Sequence, residues 1–420
     1  MTVSERKRRN ALRVDAARLW ARHMEMAAIG VVEETGNCRL ALSDEDAAAR
    51  DLFAGWCREA GLEMRTDRAG NMFALRPGRD PSRPAVAMGS HLDTQPHGGR
   101  FDGISGVLTA LEVVETLNDA GIETEAPLAV VNWTNEEGVR FAPGLLGSAW
   151  FAGQITDAAL DDIRAPNGAR FADEAARIGW RGELTPDKMP LDAFFELHIE
   201  QGPILEAEGA QVGVVTSVQG LRWLDVAVTG MDAHAGTTPL AARQDALLAA
   251  AAMLVELNSL GRASGEDARV SVGRLNPGTD GPSTVAGRAD FVIDIRNPEA
   301  DVLEKLAKGA ARICAEVAGR YGCTAEVSER LAVPPRAFDS ECVEAVESSA
   351  RELGLRYRTL PSGALHDASN IAAIAPTAMI FVPCRDGISH NVREHAEADD
   401  LAAGCDVLLH AVLARAGRKV

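Results

Sequence analysis

The run from 89 to 106, Gly-Ser-His-Leu-Asp-Thr-Gln-Pro-His-Gly-Gly-Arg-Phe-Asp-Gly-Ile-Ser-Gly, constrains this chain more than any other stretch, because it lies between two apolar segments. Residues 85–88 (Ala-Val-Ala-Met) read as a short buried strand, and residues 107–117 as an apolar helix. A polar, glycine-rich connection between a core strand and a core helix is where α/β enzymes place their chemistry. It offers His91 and, eleven residues on, Asp102, with Asp93 two residues beyond His91. An imidazole and a carboxylate suit a zinc-class ion, and a carboxylate two residues along can hold the imidazole from behind.

Three more predicted strands end in polar groups. Residues 128–131 run into Asn135-Glu136-Glu137-Gly138, and residues 194–197 into His198-Ile-Glu-Gln201-Gly. Residues 378–382 lead to Gly387-Ile-Ser-His390. Between them the pattern changes. Helical spacing of Leu12, Val14, Leu19, Trp20, Met24 and Met26 predicts a helix over 11–29. Ser43 followed by three acidic residues predicts a helix start that runs to about residue 60. Residues 67–71 predict a hairpin turn. From about 213 the order becomes strand, strand, helix (245–260), strand (268–275), strand (289–296), helix (300–321) and strand (325–331). That order predicts a compact α+β unit of about four antiparallel strands with two helices. A helix over 340–353, a motif-rich turn over 361–370 and a closing helix over 398–416 then resume the first pattern. The predicted fold is α/β: a catalytic domain with a central mixed, mostly parallel sheet, interrupted by a smaller α+β lid or dimerisation domain. The boundaries are 1–213, 214–331 and 332–420, and the two crossings form a hinge.

Composition sets the partner classes. A chain of 420 residues, 46% hydrophobic and 25% charged, has the usual make-up of a soluble two-domain protein. A net charge of −18 argues against nucleic acid or an anionic membrane as partner. The seven cysteines include no CxxC pair, which fits reduced thiols in a cytoplasmic protein. The basic run Arg6-Lys-Arg-Arg9 has no apolar segment behind it, so no signal peptide is expected. No segment is expected to span a membrane.

Loops that follow parallel strands gather at one edge of a sheet, which brings His91, Asp102, Glu136, Glu137, His198 and His390 together. Five such ligands with one bridging carboxylate can hold two ions about 3.5–4 Å apart and lower the pKa of a water between them. Glu136 and Glu137 are adjacent, so in an extended segment they face opposite sides. One then serves the metals and the other the water and substrate.

On these residues the chain resembles the dinuclear-metal amidohydrolases related to aminoacylases. The branch is that of N-carbamoyl-L-amino-acid hydrolases, allantoate amidohydrolases and β-ureidopropionases. The resemblance runs over nearly the whole chain. Its most specific segments are Gly89-Ser-His-Leu-Asp-Thr, Gly99-Arg-Phe-Asp-Gly, Asn135-Glu-Glu-Gly, His198-Ile-Glu-Gln-Gly-Pro, His234-Ala-Gly-Thr-Thr-Pro, Asp294-Ile-Arg and Gly387-Ile-Ser-His. It implies two divalent ions per subunit (zinc, manganese, nickel or cobalt). His91 and His198 would sit on separate metals, Asp102 would bridge, Glu137 and His390 would complete the set, and Glu136 would be the general base. It also implies a small-molecule substrate carrying a carboxylate, contacted by Gln201, Ser283, Gly363 and the Arg296 fork. A homodimer through the inserted domain would bring His234 of one subunit to the scissile carbonyl of the other.

Two positions depart from that pattern. Ser283 stands thirteen residues before Arg296, where carbamoylases usually carry an asparagine, and Leu365 stands where the family has a small residue or methionine. Gln95 and His97 add polar groups beside the metal loop. The expected reaction is hydrolysis of a carbamoyl or ureido C–N bond, giving amino acid, ammonia and carbon dioxide. The alternatives are an N-acyl amino acid or dipeptide hydrolase on the same fold, and a non-catalytic binding protein. Loss of Glu136 or of a ligand would mark the last, and none is lost.

Overall fold

A computed structural model describes residues 12–417. The basic run at 6–9 lies outside the described residues. Contacts divide the chain into two units, Met1–Thr216 with Phe338–Val420, and Ser217–Ala337. The sequence pattern alone sets the crossings near 213 and 331.

The larger unit is built on one mixed sheet. Its four central strands, in spatial order Thr377–Val382, Leu191–Ile199, Ala85–His91 and Leu128–Trp133, are mutually parallel. Antiparallel strands flank them: Val212–Val218 on one side, and the hairpin Met72–Arg76 with Glu63–Thr66 on the other. Ala85–His91, Leu128–Trp133 and Thr377–Val382 are buried at every position, because helices cover both faces of the sheet. This is why they read as continuous apolar runs rather than alternating ones. Val212–Val218 corrects one expectation. It pairs antiparallel with Thr377–Val382 in the large sheet, whereas the sequence pattern groups it with the inserted unit. Only its last two residues, Ser217 and Val218, fall in the smaller unit.

The helices follow their local signals. Ser43 caps Asp44–Glu59 by accepting from the Asp46 N–H, and three acids fill the first turn, where they complement the helix dipole. Ile104–Asp119 is buried along almost its whole length, with Val107, Leu108, Leu111 and Val114 in the core, and Ala398–Ala416 packs beside it. Truncating any of these side chains to alanine costs about 2–5 kcal/mol.

The smaller unit is an antiparallel sheet ordered Arg269–Ser271, Arg288–Asn297, Gly220–Thr229, Thr324–Val333, with Leu275–Pro277 also paired to Arg288–Asn297. Helices Ala246–Ala263 and Ala300–Arg320 share its core, through residues such as Ala249, Met253, Leu306 and Val317. Ala246–Ala263 is long and apolar enough, by length and composition, to cross a membrane, which corrects the expectation that no segment is. It interrupts its apolar run with Glu256 and Asn258, and Ala246, Ala250, Met253 and Leu257 are buried in the core of this unit. Leu247, Leu248 and Val255 are exposed.

Candidate metal and amide site

The four parallel strands all finish at one edge of the large sheet, at His91, Trp133, Ile199 and Val382. Side chains alternate along a strand, so His91, Glu196 and His198 share one face. The next residues of each loop supply the rest, and among the described residues two donor groups form. His91, Asp102 and His198 make one, and Asp102, Glu137 and His390 make the other. Asp102 belongs to both. Its Oδ1 lies 3.0 Å from His198 Nε2 and 3.9 Å from His91 Nε2, while its Oδ2 lies 3.2 Å from His390 Nε2.

Hydrogen bonds fix how these groups present themselves. His91 Nδ1 donates to the Asp93 carbonyl at 2.9 Å and His198 Nδ1 to the Ile199 carbonyl at 2.9 Å, so both rings turn Nε2 into the cluster. The Asp93 carboxylate lies behind the ring, with Oδ1 3.9 Å from His91 Nδ1, and its two oxygens accept from the Glu136 and Glu137 N–H groups at 3.2 Å each, so it also holds the acidic pair. Glu136 lies 3.5 Å from His91 Nε2. Gln95 donates to Glu137 Oε2 at 2.6 Å, whereas His97 is solvated. Gln201 donates to Asp102 Oδ2 at 3.0 Å, and its Oε1 is buried without a partner.

Two features let the loops close so tightly. Gly103 has φ +71°, and a Cβ there would lie 2.3 Å from the His91 ring. Asn135, Gln201 and His390 adopt left-handed backbone at φ +61°, +56° and +53°. For side-chain-bearing residues that conformation costs about 1–3 kcal/mol each, a cost typical of sites where geometry is fixed by function.

Electrostatics follow from burial. Burial pushes the Glu136 carboxyl well up, reinforced by Glu137 and Asp367, and pushes Glu137 up to about 8, reinforced by Asp102. Burial also pushes Asp93 up to about 7 and His91 down to about 4. Burial opposes the charged form of His198, but Asp102 outweighs it and raises the ring to about 9. The Asp102 hydrogen bond raises His390 to about 9 as well. Several carboxylates crowded in a low-dielectric pocket, with imidazole Nε2 atoms turned among them, make an N/O donor set that fits divalent cations.

Glu196, His198 and His366 form a third buried group whose donor atoms lie close together. Glu196 accepts from the Ser90 hydroxyl and the Ala368 N–H. His366 spends one ring nitrogen on the Ser369 N–H and the other on Ser362 Oγ. Gly363 is exposed in the loop leading to His366.

The remaining residues named from sequence lie in the smaller unit. His234 pairs with Thr284, and the Ala235 N–H donates to the Ser283 carbonyl at 2.8 Å. His234 Nδ1 accepts from the Gly236 and Thr237 N–H groups at 3.0 and 3.1 Å, which leaves the proton on an outward Nε2. The Arg296 guanidinium forks onto the Asp294 carboxylate at 3.0 Å. Two residues that the sequence motifs leave without a role, Ser389 and Glu394, touch the Asp102 loop directly.

A family model described as peptidase family M20/M25/M40 matches residues 87–414. The chain belongs to that family. The family is metal-dependent, and the donor groups of this chain are able to bind metal. The chain is 45% identical over 405 residues to an N-carbamoyl-L-amino-acid amidohydrolase of Rhizobium meliloti, covering 96% of each. It is 35% identical over 386 residues to a ureidoglycolate hydrolase of Oryza sativa subsp. japonica, covering 88% of this chain and 78% of that protein. The crystal structure of an amidase of the hydantoinase/carbamoylase family from Burkholderia multivorans superposes with a TM-score of 0.94 at 45% identity, covering 98% of this chain and all of that one.

Proposed function

We propose that this M20-family chain is a metal-dependent amidohydrolase that cleaves the carbamoyl C–N bond of an N-carbamoyl-L-amino acid or a related ureido acid. One observation carries the reading. Asp102 presents one oxygen to the His91 and His198 group and the other to the Glu137 and His390 group. The 45% identity to the Rhizobium meliloti amidohydrolase supports the substrate class.

His91, Asp102, Glu137, His198 and His390 would hold two divalent ions, zinc, manganese, nickel or cobalt. Such a pair lowers the pKa of a bound water and polarises an amide carbonyl. The protein's own groups do the rest. Glu136, beside His91 and with its proton affinity raised by burial, takes the proton of the attacking water and delivers it to the departing nitrogen. The water oxygen bonds to the carbamoyl carbon, and the bond to the amino-acid nitrogen breaks. The released carbamate decomposes to ammonia and carbon dioxide. By the family resemblance Gln201 and Gly363 of the larger unit would contact the substrate, and in the smaller unit Ser283 and Arg296, whose fork is on Asp294 in this structure, are the candidates for its carboxylate. His234, with Nε2–H directed outward, donates to the developing oxyanion, a contribution of about 3 kcal/mol in comparable sites.

The arrangement further calls for a homodimer through the smaller unit. Its edge strand Arg269–Ser271 and the exposed Leu248 and Val255 of the neighbouring helix are the surfaces a second copy would cover. The seven free cysteines suit the reducing cytoplasm. Release of free amino acid from N-carbamoyl-L-amino acids, N-acetyl amino acids and dipeptides, and of ammonia from the carbamoyl and ureido acids, measured with divalent metal added, tests the reaction. Turnover of the carbamoyl and ureido acids is expected, and turnover confined to the N-acetyl amino acids and dipeptides overturns the reading in favour of an ordinary amidase.

A further inference from the structure

Glu394 enters the site from the loop that follows His390, and it is 3% exposed. Space for it exists because residue 99 has no side chain: a Cβ on Gly99 would lie 2.0 Å from Glu394 Oε1. Oε1 accepts from the Phe101 and Asp102 N–H groups, each at 3.0 Å, which ties the loop carrying Asp102 to the loop carrying His390. Oε2 lies 3.2 Å from the Ser389 hydroxyl, and that hydroxyl lies 3.0 Å from Asp102 Oδ2. Gln201 Nε2 donates to both Ser389 Oγ and Asp102 Oδ2, at 3.2 and 3.0 Å. The hydroxyl has one hydrogen to give. With Gln201 feeding its lone pair, that hydrogen goes to one of two carboxylates, and Asp102 is the nearer. Asp102 Oδ1 takes no part in this network, since it faces His198 at 3.0 Å.

We infer that Ser389 and Glu394 are positioning residues for one half of the site only, fixing the direction of Asp102 Oδ2 and so the affinity of the ion held with Glu137 and His390. The inference rests on the two-ion reading above. Removing the Ser389 hydroxyl takes one hydrogen bond from Oδ2, leaving it Gln201, and none from Oδ1, so the carboxylate loses restraint on one side and can pivot about the oxygen that faces His198. Partners behind a ligand of this kind change metal affinity by about 10–100-fold when removed.

The test is a titration of cobalt(II) into metal-free full-length protein, followed by calorimetry and by visible absorption. The wild type is expected to bind two ions. Ser389→Ala is expected to bind one with unchanged affinity and the other about 10–100-fold more weakly. Ser389→Thr, which keeps the hydroxyl, restores the second ion. Glu394→Gln keeps an oxygen for the two N–H groups and offers an amide donor to Ser389, so both affinities stay within about threefold of wild type. Thermal unfolding of the metal-free variants separates positioning from folding, and Ser389→Ala should melt with the wild type. Two ions in Ser389→Ala at wild-type affinity, or equal weakening of both, overturns the inference and leaves the two-ion reading standing. A wild-type chain that binds a single ion overturns both.

Discussion

Gly103→Ala tests whether the His91 ring is held where the chemistry needs it. At φ +71° the new methyl group would sit 2.3 Å from both Cε1 and Nε2 of His91, and 2.5 Å from Cδ2. Ordinary contact begins near 3.4 Å, so ring and helix start must separate by about 1 Å, in a place where His91 is 1% exposed and has no space to retreat into. Gly61→Ala is the matched control, because Gly61 has φ +79° and nothing within 4 Å of an added Cβ. The control bears only the backbone cost of a left-handed alanine, about 1–2 kcal/mol. Gly103→Ala bears that cost plus about 1–3 kcal/mol of overpacking. Its larger effect falls on function, since misplacing a catalytic group by about 1 Å can cost on the order of a hundredfold in rate. Denaturant unfolding, bound metal per chain and ammonia release from an N-carbamoyl-L-amino acid should be measured on both variants. Gly61→Ala should lose stability and keep its activity, while Gly103→Ala should lose bound metal and at least about tenfold in kcat. Activity and metal content within twofold of wild type in Gly103→Ala would refute the placement of His91 in the site.

Further perturbations probe the base, the lid and the pH response. Glu136→Gln removes a proton acceptor that no donor group needs as a ligand, so kcat should fall at least about a hundredfold with metal content unchanged, and retained turnover removes Glu136 from the mechanism. If His234 works across a dimer, inactive His234→Ala and Glu136→Gln chains should regain activity when mixed and allowed to exchange subunits; exchange without recovery excludes that role. His23 is buried, and burial lowers its ring from 6.5 to about 4, so below pH 6.5 the unfolded chain binds a proton that the folded chain does not. Stability is therefore lost as pH falls from about 6.5 to about 4, by about 3 kcal/mol in total, and the difference in unfolding free energy between wild type and His23→Gln should shrink by that amount over the same window. A constant difference would show that His23 titrates alike in both states.

The parallel strands were readable because burial on both faces forces unbroken apolar runs, and a polar motif follows each run where the strand leaves the core. The edge of the sheet was less readable. Val212–Val218 and Gly220–Thr229 are separated by one residue, Gln219, and nothing in their composition says that the first pairs with Thr377–Val382 while the second joins another sheet. Strand pairing is decided by contacts distant in sequence, which periodicity does not encode.

The same distinction separates the proposed ligands from the groups that position them. His91, Asp102, Glu137, His198 and His390 stand out because each is a ligand-type residue at the end of a core strand or in the loop that follows it. Their supports are either commonplace residues or main-chain atoms. The Asp93 and Ile199 carbonyls hold the imidazoles, and any residue could supply a carbonyl. Glu394 is one acid among 61 acidic residues, four positions past His390. Only folding shows that its carboxylate, 292 positions along the chain from Asp102, accepts the Asp102 N–H. Sequence therefore picks out the proposed ligand residues, and the fold shows what holds them in place. Ser389→Ala and Gly103→Ala should accordingly change metal affinity while every proposed ligand remains in place.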